Sequence, residues 1–466
     1  MKRNVFFRAV LRRPAQTLLL LLLLALLTAL FGARTMEYAI IQNETERIGE
    51  YYQSVGRLEP DDPEEYNVVL AAEQIEKSDL VAFEDKRHAS AANLIDLYNA
   101  DVDGWSSDRP ESTYSSGLHI SDVFLYGEPL SIDTTQDGLY HIRFSVDQAL
   151  AAYPEYAEDG DIVDLYYDSS ADTGENPFLG MSTGKHYLIK AYFNPSFDFG
   201  IGWDNAGSCL YLKQLQDDGV WFLGIEDGTV IGQALSAYPS IQEEIDLLDE
   251  NQRAVMVLST KDMSAMPRTQ QSMRYYYLDS GRYLTRDDDL NQNYVCVVHK
   301  EFAALRGLAV GDTIRLRFRN MTCNLLGYLL DGESSVGWKD FPTQEAEFTI
   351  VGTYGMLASQ PIQPTSRNVV LFIPDSCMPE GYGGDLATML PSDQYSFVLK
   401  SSKDQAAFVE ENQQALSNLG FTLLFADSNA ENFWSTVTPM TRTLLTNSVV
   451  WGLALAAAMV LAVSLY

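Results

Sequence analysis

The segment "GRYLTRDDDLNQNYVCVVHK" brings acidic, thiol and imidazole side chains close together, and these residue types could bind a metal ion. Its oxygen-bearing residues alternate as they do at the opening of a calcium-binding loop: Asp287, Asp289, Asn291 and Asn293. Such a loop also needs a glycine at its sixth position and a glutamate at its twelfth, where this chain has Gln292 and Val298. We therefore predict a polar turn here rather than a calcium site.

Cys296 and His299 follow on a predicted strand, and their spacing places them on opposite faces of it. They cannot share one metal ion, and Cys296 is predicted to lie in a hydrophobic core. The five histidines of the chain are scattered without the spacing of metal ligands: His88, His119, His141, His186 and His299. We predict no metal site and no cofactor.

The sequence "GMSTG" at residues 180–184 matches the pattern that presents a nucleophilic serine, here Ser182. That arrangement needs a strand before the serine and a helix after it, whereas the flanking sequences indicate a loop before and a strand after. The same residues fall short of a phosphate-binding loop, because the two glycines enclose too few residues and a histidine follows Lys185. We predict neither catalysis nor nucleotide binding by this chain.

The chain carries 64 acidic and 32 basic residues, a formal net charge of −32, and this charge is unevenly distributed. Six of the basic residues precede any acid: Lys2, Arg3, Arg8, Arg12, Arg13 and Arg34. The rest of the chain contains 26 basic and 64 acidic residues, so its net negative charge repels phosphate backbones. Nucleic acid is therefore excluded as a partner.

An apolar stretch without charged residues occupies residues 15–33 and is long enough to cross a bilayer as a helix. We predict a transmembrane helix at 15–36 and, before it, a cationic interfacial helix at 1–14, for which an ordinary basic flank is the alternative. A signal peptide fits the span less well, because its apolar region is shorter, roughly 7–15 residues. Basic residues favour the cytoplasm, so the N-terminus is predicted to be cytoplasmic and residues 37–446 extracytoplasmic, in a multi-pass protein of the cell membrane.

A second uncharged stretch occupies residues 447–466 and is predicted to return through the membrane. Ser448, Gly452 and Ala456 place small side chains four residues apart, a spacing that lets helices approach closely in lipid. We predict that these three residues pack against another helix. No basic residue follows the stretch, so we expect the sequence to be the N-terminal part of a longer protein.

Helical patterns flank the two spans on their predicted outer side. We predict stalk helices at 37–60 and 431–446, the second kinked or started near Pro439. The predicted core between them, residues 61–430, contains an inserted lobe at about 194–278, where a polar helical pattern interrupts the strand patterns.

Two strand–helix–strand patterns lie near the ends of this core. The first has "VVL" and "LVAF" as its predicted strands, and the second occupies residues 395–426. We predict that both contribute to one sheet near the membrane. Gly-Asp turns also precede two predicted strands, at Ile162 and Ile314, in which apolar and polar residues alternate. This repeated pattern indicates two related β units.

The four cysteines all lie in the predicted extracytoplasmic part, where disulfides form in an oxidising setting: Cys209, Cys296, Cys323 and Cys377. A bond from Cys323 to Cys377 or to Cys209 is one alternative, and free thiols are the other.

The order of these features resembles that of the MacB/FtsX-like ABC-transporter permeases. The segments that carry the resemblance are "GRYLTRDDD", "YVCVVHKEFAALRGLAVGDTIRL" and "EAEFTIVGTYG", together with the two apolar ends. The resemblance implies an α+β membrane protein: a transmembrane helix, a large β-rich MacB-like extracytoplasmic domain with helical stalks, and a second transmembrane helix that starts the FtsX-like domain. It also implies that the aspartates are scaffold.

The resemblance further implies a non-catalytic permease subunit that is moved by a separate cytoplasmic ABC ATPase. Its other partners would be a second permease copy or a paralogue, and the lipid bilayer. Its function would be export or mechanotransmission of a peptide, lipoprotein or lipid-like substrate. The alternative is a membrane-tethered extracellular receptor or cell-wall-binding module without transport function.

Overall fold

A computed structural model describes residues 14–51, 53–62, 68–99, 122–134, 139–168, 180–194, 209–215, 220–226, 228–270, 275–319, 342–357, 370–383, 394–426 and 428–465. The chain forms two compact units. The first unit comprises Met1–Glu84, Ala265–Met273 and Tyr395–Tyr466, and the second unit comprises Asp85–Ser264 and Arg274–Gln394.

The helices of the described ranges are α1 (Pro14–Tyr51), α2 (Val68–Glu76), α3 (Ile231–Leu235), α4 (Pro239–Arg253), α5 (Arg286–Leu290), α6 (Lys300–Leu305), α7 (Gln405–Ser417) and α8 (Ser428–Leu465). The strands are β1 (Val55–Pro60), β2 (Val81–Lys86), β3 (Ala89–Leu94), β4 (Asp122–Thr134), β5 (Leu139–Ala151), β6 (Ile162–Asp168), β7 (His186–Asn194), β8 (Cys209–Lys213), β9 (Phe222–Ile225), β10 (Ala254–Thr260), β11 (Tyr276–Gly281), β12 (Val295–His299), β13 (Thr313–Arg319), β14 (Thr343–Met356), β15 (Val370–Pro374), β16 (Tyr395–Leu399) and β17 (Phe421–Phe425).

Helix α1 spans Pro14–Tyr51 without interruption. The predicted span and the first part of the predicted stalk therefore lie in one helix. The stalk predicted to reach residue 60 is too long, because residues 55–60 form strand β1. In that strand Val55 is buried, and the lack of a side chain at Gly56 leaves room for the ring of Phe397.

Helix α8 begins at Ser428, well before Pro439, and passes through this proline. The predicted stalk 431–446 and the predicted span up to Leu465 are therefore parts of one helix, which does not start at the proline. The hydroxyls of Thr441 and Thr443 donate to backbone carbonyls one turn earlier, including that of Pro439.

A four-stranded sheet with the order β17-β1-β16-β2 belongs to the first unit. Helices α2 and α7 pack on it, and one core joins them: Leu58, Ala71, Ile75, Tyr395, Phe397, Leu399, Phe408, Leu416, Phe421 and Leu423. Both predicted strand–helix–strand patterns contribute to this sheet, the first through β2 and the second through β16 and β17. The prediction that they share one sheet is confirmed.

The "VVL" segment differs from its prediction, because Val68 opens helix α2 rather than a strand. Ala71 and Ile75, which lie four residues apart, are both fully buried on one face of this helix. A short apolar run does not distinguish a buried helix from a strand, and the missing strand of the sheet is β1.

In the second unit, strands β14, β12, β15, β10, β3 and β13 close into a barrel, because β13 also pairs with β14. Strand β11 extends this six-stranded barrel at β14. Every strand of the ring contributes to the interior, with residues that include Ala92, Val257, Cys296, Leu316, Phe348 and Leu371. Cys296 lies in the hydrophobic core, as predicted.

Strands β4, β5, β6, β8 and β7 close into a second barrel through the pairing of β7 with β4, and β9 extends it. The interior of this five-stranded barrel is rich in aromatic residues: Phe144, Tyr153, Tyr156, Tyr167 and Tyr187. The chain reaches this barrel after β3 and returns through α3 and α4 to β10. The five-stranded barrel is therefore an insertion into the six-stranded one.

The inserted lobe predicted at about 194–278 has different bounds in the structure. Strands β8 and β9 belong to the five-stranded barrel, which begins at Asp122, whereas β10 and β11 belong to the six-stranded barrel. The insertion thus lies between Leu94 and Ala254. Local sequence patterns miss these bounds, because strands that are distant in sequence close both barrels.

The two β units that look alike in sequence share only part of their structure. Gly160 and Gly311 both have positive φ in the predicted Gly-Asp turns, as expected of glycine. Strand β13 pairs directly with β14, whereas β8 lies between β6 and β7. The similarity is limited to the turn and the strand that follows it.

Candidate functional site

Helices α1 and α8 pack against each other and run in opposite directions. Strand β1 follows α1, strand β17 precedes α8, and these two strands pair, with Gly56 opposite Phe425 near the helices. Both helices therefore join the sheet at the same end of one strand pair.

A line of less exposed residues at alternating three- and four-residue spacing runs along each helix. In α1 these residues are Thr17, Leu20, Leu24, Leu27, Phe31, Arg34, Tyr38, Ile41 and Thr45. In α8 they are Trp434, Val437, Thr441, Leu444, Ser448, Trp451, Leu455, Ala458 and Ala462. A spacing of about 3.5 residues keeps one stripe facing a partner helix, as in a coiled coil. These two lines form the helix seam.

The three small residues predicted to pack in the membrane differ in their relation to the helix seam. Ser448 lies on it and is 7% exposed. Gly452 lies beside it, where a Cβ atom would be 3.0 Å from the ring of Phe31. Ala456 is exposed, whereas Ala458 occupies a buried position.

Ser448, Gly452 and Ala456 do not all lie on the helix seam because they are spaced four residues apart. Steps of four residues advance around a helix of about 3.6 residues per turn, so a four-residue stripe leaves the contact line within two steps. The seam alternates steps of three and four and stays on one face. Packing of Ser448, Gly452 and Ala456 within a membrane remains a prediction.

The outward faces of the two helices are apolar. Exposed residues include Leu18, Leu19, Leu22 and Leu26 in α1, and Val449, Leu453, Val460 and Leu461 in α8. Of the most apolar stretches, 0% is buried in α1 and 11% in α8, unlike the core helix of a soluble domain. Both helices are long and apolar enough to cross a membrane.

Each helix is longer than a membrane is thick. A helix of 38 residues is about 57 Å long, whereas the hydrocarbon core of a bilayer is about 30 Å thick. Counting equal numbers of residues from the contact of Phe31 with Gly452 puts Met36 level with Asn447, and these residues bound the two predicted spans. The remaining turns of both helices extend from that level to the four-stranded sheet.

A tryptophan near the N-terminal end of α8 binds this helix to the turn before α7. Trp434 donates from Nε1 to Oγ of Ser402 at 3.0 Å, and Nζ of Lys403 lies 5.3 Å from the centre of a Trp434 ring. Ser402 and Lys403 belong to one turn between β16 and α7, and α1 packs against the same turn. Sequence reasoning missed this contact, because a tryptophan before an apolar span is also an ordinary residue of the membrane interface.

The aspartates of the "DDD" run stabilise local structure. Asp288 accepts hydrogen bonds from the backbone and hydroxyl of Thr285, both at 2.9 Å, and from both Nη atoms of Arg282, at 2.5 and 2.9 Å. Burial alone would raise the pKa of Asp288, but these donors outweigh it and hold the pKa well below its usual range. Asp289 accepts a backbone hydrogen bond at 2.7 Å, and Asp287 is exposed. The predicted polar turn is thus the capped helix α5, and these contacts support the scaffold interpretation.

A serine, a histidine and an aspartate that are distant in sequence meet beside β10. Oδ1 of Asp375 accepts a hydrogen bond from Oγ of Ser259 at 2.6 Å and lies 3.1 Å from Nδ1 of His88. A catalytic relay needs the serine at the other imidazole nitrogen, whereas these two side chains bind the same carboxylate oxygen. Ser259 is also fully buried. The group ties β10 to the turn after β15 and is not arranged for nucleophilic catalysis.

Ser182 lies beside Tyr187, with 3.5 Å between the two hydroxyl oxygens. Strand β7 follows the serine, as predicted, and the residues directly before Gly180 lie outside the described ranges.

Cys377 is a free thiol and therefore has no bond to Cys323, which lies outside the described ranges, as does the side chain of Cys209. Within the residues that the structure describes, no three His, Cys, Asp or Glu side chains come together to hold a metal ion.

No protein-family model and no curated protein sequence matches this chain. Among solved structures, the periplasmic region of MacB from Actinobacillus actinomycetemcomitans is 13% identical over 38% of this chain and 65% of that chain, with a TM-score of 0.20. A domain of a putative permease protein from Porphyromonas gingivalis is 19% identical over 37% of this chain and 65% of that chain, with a TM-score of 0.18. The match spans less than two thirds of either structure, and TM-scores this low do not establish a common fold.

Proposed function

We propose that this chain is a non-catalytic permease subunit of an ABC transporter, in which a separate cytoplasmic ATPase supplies the motion. Its work is export or mechanotransmission of a peptide, lipoprotein or lipid-like substrate. The sequence features that resemble MacB/FtsX-like permeases support this proposal. The structural observation that carries it is the antiparallel helix pair, in which each helix continues from an apolar stretch to the same sheet.

The helix pair suits transmission because an unbroken helix resists bending. Displacement of its cytoplasmic ends by ATPase dimerisation would pass along the helix seam and reach the sheet through β1, β17 and the turn that binds Trp434. In this arrangement the N-terminus is cytoplasmic, residues 37–446 are extracytoplasmic, and a second permease copy or a paralogue completes the membrane part.

The test introduces a joint into α1 of the complete transporter by replacing Thr35 with glycine and Met36 with proline. Both positions are exposed, so the seam residues themselves are unchanged. The pair costs the helix about 4 kcal/mol in propensity and hydrogen bonding. We expect the variant to reach the membrane and its partner ATPase to hydrolyse ATP. Cells that carry the variant should nevertheless lose transporter function as completely as cells that lack the gene.

The matched control replaces the same two residues with alanines, which keep the helix, and should retain function. A tethered receptor or cell-wall-binding module predicts that both variants work, because a passive anchor tolerates a joint. Full function of the Gly-Pro variant at normal abundance would count against the permease proposal. So would the failure of the tagged full chain to co-purify with an ABC ATPase from its native membrane.

A further inference from the structure

Two chain segments join the five-stranded barrel to the six-stranded barrel, and they are bound to each other. The backbone N–H of Asn99, after β3, donates to the carbonyl of Gln252, at the end of α4, at 2.8 Å. The Asn99 side chain donates to the carbonyl of Ala254 at 2.8 Å, and the Gln252 side chain donates to that of Asp122 at 3.0 Å. The two connections are therefore held together at the point where the five-stranded barrel begins.

Helix α4 is fixed to the five-stranded barrel by apolar packing. One core contains residues of α4 and residues from the outer face of the barrel: Phe124, Ala151, Leu188, Ile241, Ile245 and Leu248. All six are at most 4% exposed, so the helix and this barrel move together.

The last turn of α4 is fixed to the six-stranded barrel by charged groups. Arg319 of β13 donates from Nη2 to Oε2 of Glu250 at 2.5 Å, and Asn93 of β3 donates to the same oxygen at 2.7 Å. The Asn93 amide also donates to the carbonyl of Glu250 at 2.8 Å. The Arg319 side chain is 4% exposed, so solvent screens this pair little.

Tyr98 reinforces the same turn from the other connection. Its hydroxyl donates to Asp249 at 2.6 Å, and the guanidinium of Arg253 lies 4.1 Å from the centre of its ring. Burial and the contact with Asp249 raise the pKa of Tyr98 to about 12, so the hydroxyl remains a donor at neutral pH.

Arg306, which follows α6 in the six-stranded barrel, reaches across to the other barrel. Its Nη2 donates to both carboxylate oxygens of Glu155 at 2.8 and 2.9 Å, and Glu155 follows β5. The same guanidinium donates to the carbonyls of Tyr98 at 2.9 Å and Asn99 at 2.6 Å. The Arg306 side chain is 5% exposed. One buried side chain thus binds both barrels and a connection between them.

We propose that the two barrels form one rigid body, called here the rigid arm. The packing of α4 and the Arg306–Glu155 pair hold the two barrels in a fixed relative orientation. A guanidinium that donates in several directions at once fixes geometry in a way that a lysine at the same place does not. A displacement of one barrel therefore displaces the other barrel as part of the same rigid body. This inference goes beyond the proposed function and does not depend on it.

The test measures the distance between the two barrels by double electron–electron resonance spectroscopy on the full chain in lipid nanodiscs. Spin labels are attached through an introduced ketone amino acid at Ile162 and Val310, which are exposed residues of different barrels. The parent should give one narrow distance distribution, and Arg306→Lys should broaden it at least twofold. The matched control is Arg315→Lys, because Arg315 forms an exposed ion pair with Asp96 in the six-stranded barrel region. It should leave the distribution unchanged.

A second variant keeps the test decisive if Arg306→Lys folds poorly. Glu155→Gln keeps the size of the side chain and leaves the hydrogen bonds from Arg306 to Tyr98 and Asn99 in place. It should broaden the distribution less than Arg306→Lys, but more than the control. A broad distribution in the parent would overturn the rigid arm, and so would distributions in folded Glu155→Gln that match the parent.

Discussion

At the scale of single residues, the acidic side chains act as acceptors that fix turns. Asp288 is stabilised in its charged form by Arg282 and Thr285, and Asp375 by His88 and Ser259. In both residues burial favours the neutral form, but the donors outweigh it and lower the pKa. Each of these carboxylates therefore contributes to stability only while it is ionised.

The replacement Asp288→Asn tests this role through its dependence on pH. Because the folded-state pKa is depressed, the stabilisation is fully present above the ordinary value of 3.8 and is lost as the pH falls through the folded-state value. At neutral pH we expect Asp288→Asn to lower the free energy of unfolding by about 2 kcal/mol. Below about pH 4, the parent should lose stability more steeply than the variant. Denaturant unfolding across this range measures both effects.

The control for this prediction is Asp287→Asn, one residue earlier and exposed. It should change the free energy of unfolding by less than about 0.5 kcal/mol and leave the slope with pH unchanged. Equal pH profiles for the parent and Asp288→Asn would contradict the proposed role of the carboxylate.

Sequence reasoning recovers a residue's role where its partners are close along the chain. Gln292 and Val298 stand where a calcium loop needs a glycine and a glutamate, so a polar turn was predicted. The structure has a capped helix there, in which Asp288 contacts Thr285 three residues away. The group of His88, Ser259 and Asp375 could not be found in this way. Its members meet only because β10 lies between β3 and β15 in the closed barrel.

At the scale of elements, the approach of α1 and α8 depends on a missing side chain at Gly452. A Cβ atom there would already lie 3.0 Å from the ring of Phe31, and a longer side chain would push the helices apart. We expect Gly452→Leu to destabilise the helix pair by about 1–3 kcal/mol, the usual cost of overpacking. Unfolding of the purified full chain in detergent, as a monomer, measures this change.

Ala456→Leu is the matched control, because it adds a similar bulk to the exposed side of the same helix. It should change stability by less than about 0.5 kcal/mol. If the two substitutions cost the same, the contact between Phe31 and Gly452 does not hold the helices together.

Elements with long or self-contained patterns could be predicted from the sequence. Both long helices were predicted, as was the strand–helix–strand segment formed by β16, α7 and β17. Predictions were wrong where tertiary contacts decide the outcome. Residues 55–60 continue a helical pattern but pair with β16 and β17, and Val68 lies in an apolar run that suits either structure.

At the scale of the whole molecule, charge opposes folding. The chain has twice as many acidic as basic residues, so its acids repel one another in any compact state. We expect the thermal midpoint to rise by several degrees between roughly 10 and 300 mM potassium chloride, because salt screens this repulsion. Scanning calorimetry of the full chain measures the shift.

The control for the salt series is sucrose at the same osmolarity, which leaves charge repulsion unscreened. Sucrose also stabilises compact states by exclusion from the protein surface, so the expected result is a larger rise in salt than in sucrose. A midpoint that is independent of salt would contradict a destabilising role for the net charge.

The pairing of β1 with β17 determines how the attachment of the helix pair to the sheet responds to force. Both helices join this strand pair at the same end, and its hydrogen bonds run across the strands. A force directed along the two strands loads every bond of the ladder at once, in shear. Splaying the helices sideways loads only the bonds nearest Gly56 and Phe425, and these can open one after another like a zipper. The strand pair is therefore stiff to forces along its strands and compliant to lateral splaying of the two helices.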